Sequence, residues 1–134
     1  MFKDKTILIP GGTGSWGKQL VKQLLPLNPK EIRIFSRNEF NQVQMKREFN
    51  NNKLKFVLGD IRDYEAVYQT CKGANIVFLL AAYKHVPLGE EQPEEFIKTN
   101  ITGTQNIIKA SIAQNIESVV DVSSDKGCIP NTFY

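Results

Sequence analysis

Eight residues near the start of the chain, PGGTGSWG (Pro10–Gly17), separate an apolar run from a stretch of helical periodicity. Gly11, Gly14 and Gly17 stand at the spacing G-x-x-G-x-x-G. Each glycine has an expected task. Gly11 allows a tight turn out of a strand, Gly14 lets the backbone approach a pyrophosphate, and Gly17 lets the following helix pack close to the sheet. Thr13, Ser15 and Trp16 line the same turn. A helix beginning here offers free N–H groups and partial positive charge to an anion. A glycine motif alone is weak evidence, and a plain glycine-rich turn is the alternative. Its position between a strand and an amphipathic helix is the context that favours a dinucleotide.

The rest of the chain repeats the pattern. Apolar runs at Thr6–Pro10, Glu31–Ser36, Lys55–Gly59, Asn75–Leu80 and Ser118–Val122 predict five strands. Helical patterns lie between them. Ser15–Leu25 carries an apolar face of Trp16, Leu20, Val21, Leu24 and Leu25, ended by Pro26 and Pro29. Asn38–Phe49 is a polar helix expected to turn Phe40, Val43 and Phe49 inward. Asp63–Cys71 is a short helix. Pro93–Gln114 is a long one with a stripe of Ile97, Ile101, Ile108 and Ile112, and Pro93 fits its first turn. Strand–helix alternation means parallel strands joined by right-handed crossovers. The Val/Ile/Leu-rich strands fit a sheet covered on both faces. The expected fold is therefore α/β: a Rossmann-type doubly wound parallel sheet of order 3-2-1-4-5, one domain over residues 1–134, incomplete after about five strands. Gly103, which costs ~1 kcal/mol against Ala in a helix, is expected to pack closely on the sheet.

Composition narrows the partners. Seventeen basic and 14 acidic residues give a net charge of +3 with no basic run, which gives no support for nucleic acid. No apolar stretch reaches the ~18 residues of a membrane span, and the start carries too short an apolar run for a signal peptide. Cys71 and Cys128 lie far apart and form no metal-type pair, so a reduced, cytoplasmic protein is expected.

The end of the second strand decides between nicotinamide cofactors. NAD enzymes place an acidic residue there, on the adenosine ribose. Here the residues are Ser36, Arg37 and Asn38. A hydroxyl and a guanidinium can hold a 2′-phosphate by charge-assisted bonds, so NADP is favoured over NAD. Glu39 close by, and Arg37 as a plain solvated charge, are the considerations for NAD. After the third strand comes Gly59-Asp60-Ile61-Arg62-Asp63. Asp60 or Asp63 would also serve as a helix cap.

The glycine spacing after an Ile-rich strand resembles the extended short-chain dehydrogenase/reductases, which usually have Thr in place of Pro10. That departure removes a hydroxyl and an N–H at the strand end. In those enzymes the Asp60-Ile61 pair would lie along the adenine ring. Further on, AAYKHVP (Ala81–Pro87), KTNITGT (Lys98–Thr104) and SSDKGCIPNTFY (Ser123–Tyr134) resemble segments of the polysaccharide-biosynthesis (CapD-like) sugar-nucleotide dehydratases. Typical members are inverting UDP-N-acetylglucosamine 4,6-dehydratases. The resemblance spans Phe2 to Tyr134, and its most specific part is the Asp-Lys pair beside the catalytic Ser. Leu79 and Leu80, Tyr83 and Gly127 depart mildly from the family pattern.

The resemblance implies a chemistry. C4 of the sugar is oxidised by hydride transfer to NADP, the ketone acidifies the C5 proton, water leaves from C6, and the hydride returns there. Tyr134 would deprotonate the 4-hydroxyl, with Ser124 hydrogen-bonded to the same oxygen. Asp125 would be the acid at C6 and Lys126 the base at C5. Ala81, Ala82 and Lys84 would lie beside the cofactor, and Asn100 would brace the active-site loop. Without the resemblance, Asp125-Lys126 reads as a surface ion pair and Lys84 and His85 as solvated loop residues.

Family members run to roughly twice this length or more, with a Lys four residues after the Tyr. In these 134 residues Tyr134 is last, so neither that Lys nor a sugar-binding lobe is among them. Nothing would then lower the Tyr pKa from about 10. The expectation is that a polypeptide of these residues alone does not turn over sugar nucleotide. Three readings follow: the NADP-binding portion of a dehydratase, a related epimerase or reductase acting on a nucleotide-sugar, or a non-catalytic nucleotide-binding remnant. An open edge at strand five and the long helix, which commonly pairs between subunits in this superfamily, predict a homo-oligomer.

Overall fold

The computed structural model describes residues 1–80, 93–121 and 132–133. Strands β1 (Thr6–Pro10), β2 (Glu31–Ser36), β3 (Leu54–Leu58), β4 (Ile76–Leu79) and β5 (Ser118–Asp121) are parallel, in the order β3-β2-β1-β4-β5. A two-residue strand β6 (Thr132–Phe133) adds antiparallel to β5, pairing Val120 with Phe133 and Asp121 with Thr132. The sequence predicts an open edge at strand five. Instead the chain returns to cover half of it. Two residues of TFY are too short to carry a periodicity.

The helices α1 (Ser15–Leu24), α2 (Glu39–Phe49), α3 (Tyr64–Cys71) and α4 (Pro93–Ala113) follow β1, β2, β3 and β4 in turn. A 3₁₀ turn, Leu25–Leu27, continues α1 to the left-handed residue Asn28. Two cores cover the two faces of the sheet. On one, Ile7, Ile9, Ile32, Ile34 and Ile76 meet Val21 and Leu24 of α1 and Met45 of α2. On the other, Leu8, Phe35, Val77, Leu79 and Val119 meet Val67 and Cys71 of α3 and Ile107 and Ala110 of α4. Alternate residues of β1 thus feed opposite cores, as the two-residue strand period requires. Each such side chain contributes roughly 1.5–3 kcal/mol on leaving water. β1 is buried over its whole length, as a central strand covered on both faces must be.

Three helix faces differ from expectation. In α1 the buried residues are Gly17, Val21 and Leu24, while Trp16 is 54% exposed. In α2 the inward residues are Gln42 and Met45. Phe40 and Val43 are exposed, and only Phe49 of the expected three packs against the core. Gln42 holds the inner position because its amide is consumed: Nε2 donates to Val57 O and Ser36 Oγ, both at 2.9 Å. A satisfied buried amide displaces an apolar residue at little cost. In α4 the inner face is Gly103, Ile107, Ala110 and Ser111, whereas Ile101 and Ile112 are exposed. A glycine fits position 103, because a Cβ there would overlap the Ile61 side chain. Gly103 therefore packs on the turn after β3, not on the sheet.

Pro10 is accommodated. Its carbonyl accepts from Leu80 N at 3.1 Å, so residue 10 faces β4, while Gly11 N makes the bond to Phe35 O on the β2 side at 2.7 Å. The missing N–H leaves the β1–β2 ladder whole. Cys71 is fully buried, and burial pushes its thiol up to about 11. A neutral buried thiol is a packing residue and a poor nucleophile. Among the described residues no helix is long and apolar enough to cross a membrane.

Candidate nucleotide site at the carboxyl edge

Because β1 to β5 are parallel, the turns after β1, β2 and β3 emerge at one edge of the sheet. Hydrogen bonds tie them together: Gly11 N to Phe35 O, and Gly59 N to Ser36 O at 2.9 Å. Ligands of doubly wound sheets bind outside this edge.

The turn after β1 is built by three glycines with different tasks. Gly11 has φ of 76°, the left-handed region that disfavours a side chain. A Cβ on Gly17 would fall into the carbonyl of Gly12, so the first turn of α1 lies directly on the turn itself. This corrects the expectation that Gly17 serves helix–sheet packing. Gly14 is the N-cap of α1, with ordinary extended backbone at φ −80°, and a Cβ there would meet nothing within 4 Å. No fold requirement accounts for Gly14, whereas a phosphate seated over the helix end would.

Charge and capping agree with that space. α1 has no side-chain cap and no acidic residue in its first turn. By contrast, Asn38 caps α2 through Asn41 N and Asp63 caps α3 through Ala66 N, each helix with a Glu in its first turn. The leading N–H groups of α1 are thus left to an anion. Thr13 is half-buried; Ser15 and Trp16 are exposed beside it.

At the end of β2, the Ser36 hydroxyl accepts from Gln42, which leaves its own proton for an acceptor such as a phosphate. Arg37 is 69% exposed and lies 3.8 Å from Asp60 Oδ2. Asp60 is gripped from its other side. Arg62 donates Nη2 to Oδ2 at 2.7 Å and Nε to both oxygens at 3.1 Å, and its backbone N to Oδ1 at 2.9 Å. These Arg62 bonds hold the Asp60 carboxyl below its usual range, and the charge of Arg37 adds to the effect. Of the two candidate caps, Asp63 takes the helix and Asp60 closes the turn before it. Ile61 is buried in the core shared by α3 and α4, and its carbonyl accepts from Asn106 Nδ2 at 2.8 Å.

The structure therefore brings together Gly11, Thr13, Gly14, Ser15, Trp16 and Gly17 in one turn, and Ser36, Arg37, Asp60 and Ile61 across the ends of β2 and β3. Asn100 lies on the backbone of α4. Ala81, Ala82, Lys84, Ser124, Asp125, Lys126 and Tyr134 lie outside the described residues. Gln42, Arg62 and Asn106 were given no task from the sequence. Arg62 had a signal, since an Asp-x-Arg triple at a strand end allows an ion pair across a turn. Gln42 and Asn106 are polar residues inside helices and carry none.

The model of the family described as polysaccharide biosynthesis protein matches residues 7–134. The chain is 43% identical over 135 residues to an inverting UDP-N-acetylglucosamine 4,6-dehydratase of Campylobacter jejuni, covering all of this chain and 40% of that protein. It is 45% identical over 134 residues to a UDP-glucose 4-epimerase of Rickettsia rickettsii, covering 97% of this chain and 39% of that one. Among solved structures, the dTDP-glucose 4,6-dehydratase DesIV of Streptomyces venezuelae, with NAD and TYD bound, superposes with a TM-score of 0.77. It is 28% identical, over 87% of this chain and 38% of that one. The chain thus spans about two fifths of the length of the proteins it matches.

Proposed function

The chain belongs to the polysaccharide biosynthesis protein family, and from that membership we propose that it is the NADP-binding portion of a sugar-nucleotide dehydratase of the UDP-N-acetylglucosamine 4,6 type. The observation that carries the nucleotide part is the open, uncapped α1 terminus at Gly14, at the same edge of the sheet as the Ser36 hydroxyl and the exposed guanidinium of Arg37. Identity of 43% to the Campylobacter dehydratase across the whole chain supports the substrate class.

Gly11, Thr13, Gly14, Ser15, Trp16 and Gly17 would hold the pyrophosphate by backbone N–H groups. Ser36 and Arg37 would hold the 2′-phosphate, and Asp60 and Ile61 the adenine. Ala81, Ala82 and Lys84 would lie along the nicotinamide side, with Asn100 bracing the loop. When bound, NADP supplies a hydride acceptor that later returns the hydride. Tyr134 takes the proton of the 4-hydroxyl while Ser124 holds that oxygen. Lys126 removes the proton at C5, and Asp125 protonates the departing 6-hydroxyl. Adjacent acid and base suit one sugar edge, since water leaves across neighbouring carbons. A nucleotide sugar and NADP meet in the cytoplasm, which is where we place the activity.

Arg37→Asp tests the cofactor. Calorimetry should find NADP binding weakened by about 100-fold, from a lost charge-assisted contact plus repulsion, with NAD affected by less than about threefold. Equal losses for the two nucleotides would remove the 2′-phosphate site.

Incubation of UDP-N-acetylglucosamine with a protein of the relatives' length carrying this chain should yield a 4-keto-6-deoxy sugar nucleotide. The Rickettsia relative favours a second reading, a 4-epimerase. A product of unchanged mass, with C4 inverted, would establish that one.

The exposed apolar residues Ile101 and Ile112 of α4, 52% and 73% accessible, support self-association through this helix. Light scattering at rising concentration should give a dimer or larger species, and Ile101→Glu with Ile112→Glu should give a monomer. A monomeric unaltered chain at high concentration would end that proposal.

A further inference from the structure

Two arginines approach one carboxylate at the adenosine end of the site, and they do so unequally. Arg62 reaches both oxygens of Asp60 through Nε and Nη2, and its backbone N adds a bond to Oδ1. Arg37 stands 3.8 Å from Oδ2, beyond hydrogen-bond reach, with 69% of its side chain exposed. An ionised carboxylate offers about four acceptor positions. Arg62 occupies most of them, so Arg37 gains little by coming closer.

We propose that Arg62 sets nucleotide preference without touching the nucleotide: by saturating Asp60 it keeps Arg37 off that carboxylate and available for a 2′-phosphate. This rests on the proposed contact between Arg37 and the 2′-phosphate. Arg62 is thus a positioning residue. Its removal leaves Asp60 ionised, with Oδ2 stripped of donors and a guanidinium nearby. A move of about one ångström gives Arg37 a charge-assisted bond to Oδ2. A 2′-phosphate must then break that bond to recruit Arg37, whereas NAD, with a hydroxyl in that place, makes no such demand. Without Arg62 an ordinary aspartate is still ionised at neutral pH, so the competing charge remains present.

The test is the ratio of NADP to NAD affinity, by calorimetry in about 0.5 M salt, where charges more than a few ångströms apart are screened. A ratio cancels general damage to the site, which weakens both nucleotides alike. Arg62→Gln should lower the ratio roughly five- to tenfold through NADP alone. Arg62→Lys, which keeps the charge but loses the two-pronged grip, should lower it by a smaller factor. Adding Asp60→Asn to Arg62→Gln should restore the ratio, because no carboxylate remains to capture Arg37, even if both affinities fall together through the adenine.

A ratio unmoved by Arg62→Gln overturns the proposal while leaving the 2′-phosphate site standing, provided Arg37→Gln still lowers it. A fall that Asp60→Asn does not reverse also overturns it, since that is the mark of Arg62 touching the phosphate directly. A ratio unmoved by Arg37→Gln removes the 2′-phosphate reading, and this inference with it.

Discussion

Gly17→Ala is expected to destabilise the domain by on the order of 3 kcal/mol, whereas Gly14→Ala should leave its stability nearly unchanged and lose the nucleotide. The two glycines stand three residues apart in one motif, yet only one has room. A methyl on Gly17 falls into the Gly12 carbonyl, which is backbone and cannot rotate away. Relief requires α1 to lift from the turn, taking Val21 and Leu24 away from Ile7 and Ile9. A domain is stable by only ~5–15 kcal/mol, so such a loss lowers the urea midpoint markedly. A methyl on Gly14 meets nothing and strains nothing at φ −80°. It fills only the space over the helix end, and NADP affinity should fall about tenfold or more. Urea unfolding and calorimetry on both variants decide the matter. A Gly14→Ala protein that binds NADP as before would mean that the phosphates lie elsewhere.

That contrast marks what the sequence could yield. Spacing located the turn and the strand before it, because a central strand is apolar at every position and a tight turn needs φ above zero. It could not apportion tasks among the glycines. Gly17 looks like a residue of helix–sheet packing until the Gly12 carbonyl is seen beneath it. Helix faces were legible only where apolar residues meet the sheet, as Val21 and Leu24 do. Where a polar or small residue holds the inner position, periodicity points the wrong way. Gln42 turned Phe40 and Val43 outward. Gly103, Ile107 and Ala110 left Ile101 and Ile112 on the surface. The same outward isoleucines that misled the core assignment are those that support self-association.

The proposed adenosine end was half legible. The residue types Ser36, Arg37 and Asp60 are what lead to the ribose-and-adenine site proposed above. Their pairing does not, since it depends on the register that sets Ser36 beside Leu58 and so brings Arg37 within reach of Asp60. A one-residue slip of β3 would move Asp60 to the other face and dissolve the arrangement.

The other large effect concerns the acid and the base proposed for the loss of water. In a protein of the dehydratase relatives' length that carries these 134 residues, Asp125→Asn and Lys126→Ala should each slow dehydration by ~10²–10⁴-fold, the usual worth of a positioned acid or base. NADP affinity should stay within about threefold, because neither Asp125 nor Lys126 is among the residues proposed to hold the nucleotide. The two variants should then differ from each other. With Asp125→Asn the base remains, so the C5 proton can leave and return, and deuterium from solvent should enter C5 of recovered substrate. With Lys126→Ala that exchange should vanish, because no base remains to begin it. Mass spectrometry of the recovered sugar nucleotide reads both outcomes. Exchange lost in Asp125→Asn and kept in Lys126→Ala would reverse the two roles. Loss of NADP binding in step with activity would make the pair structural, as an ordinary ion pair in a surface loop would be.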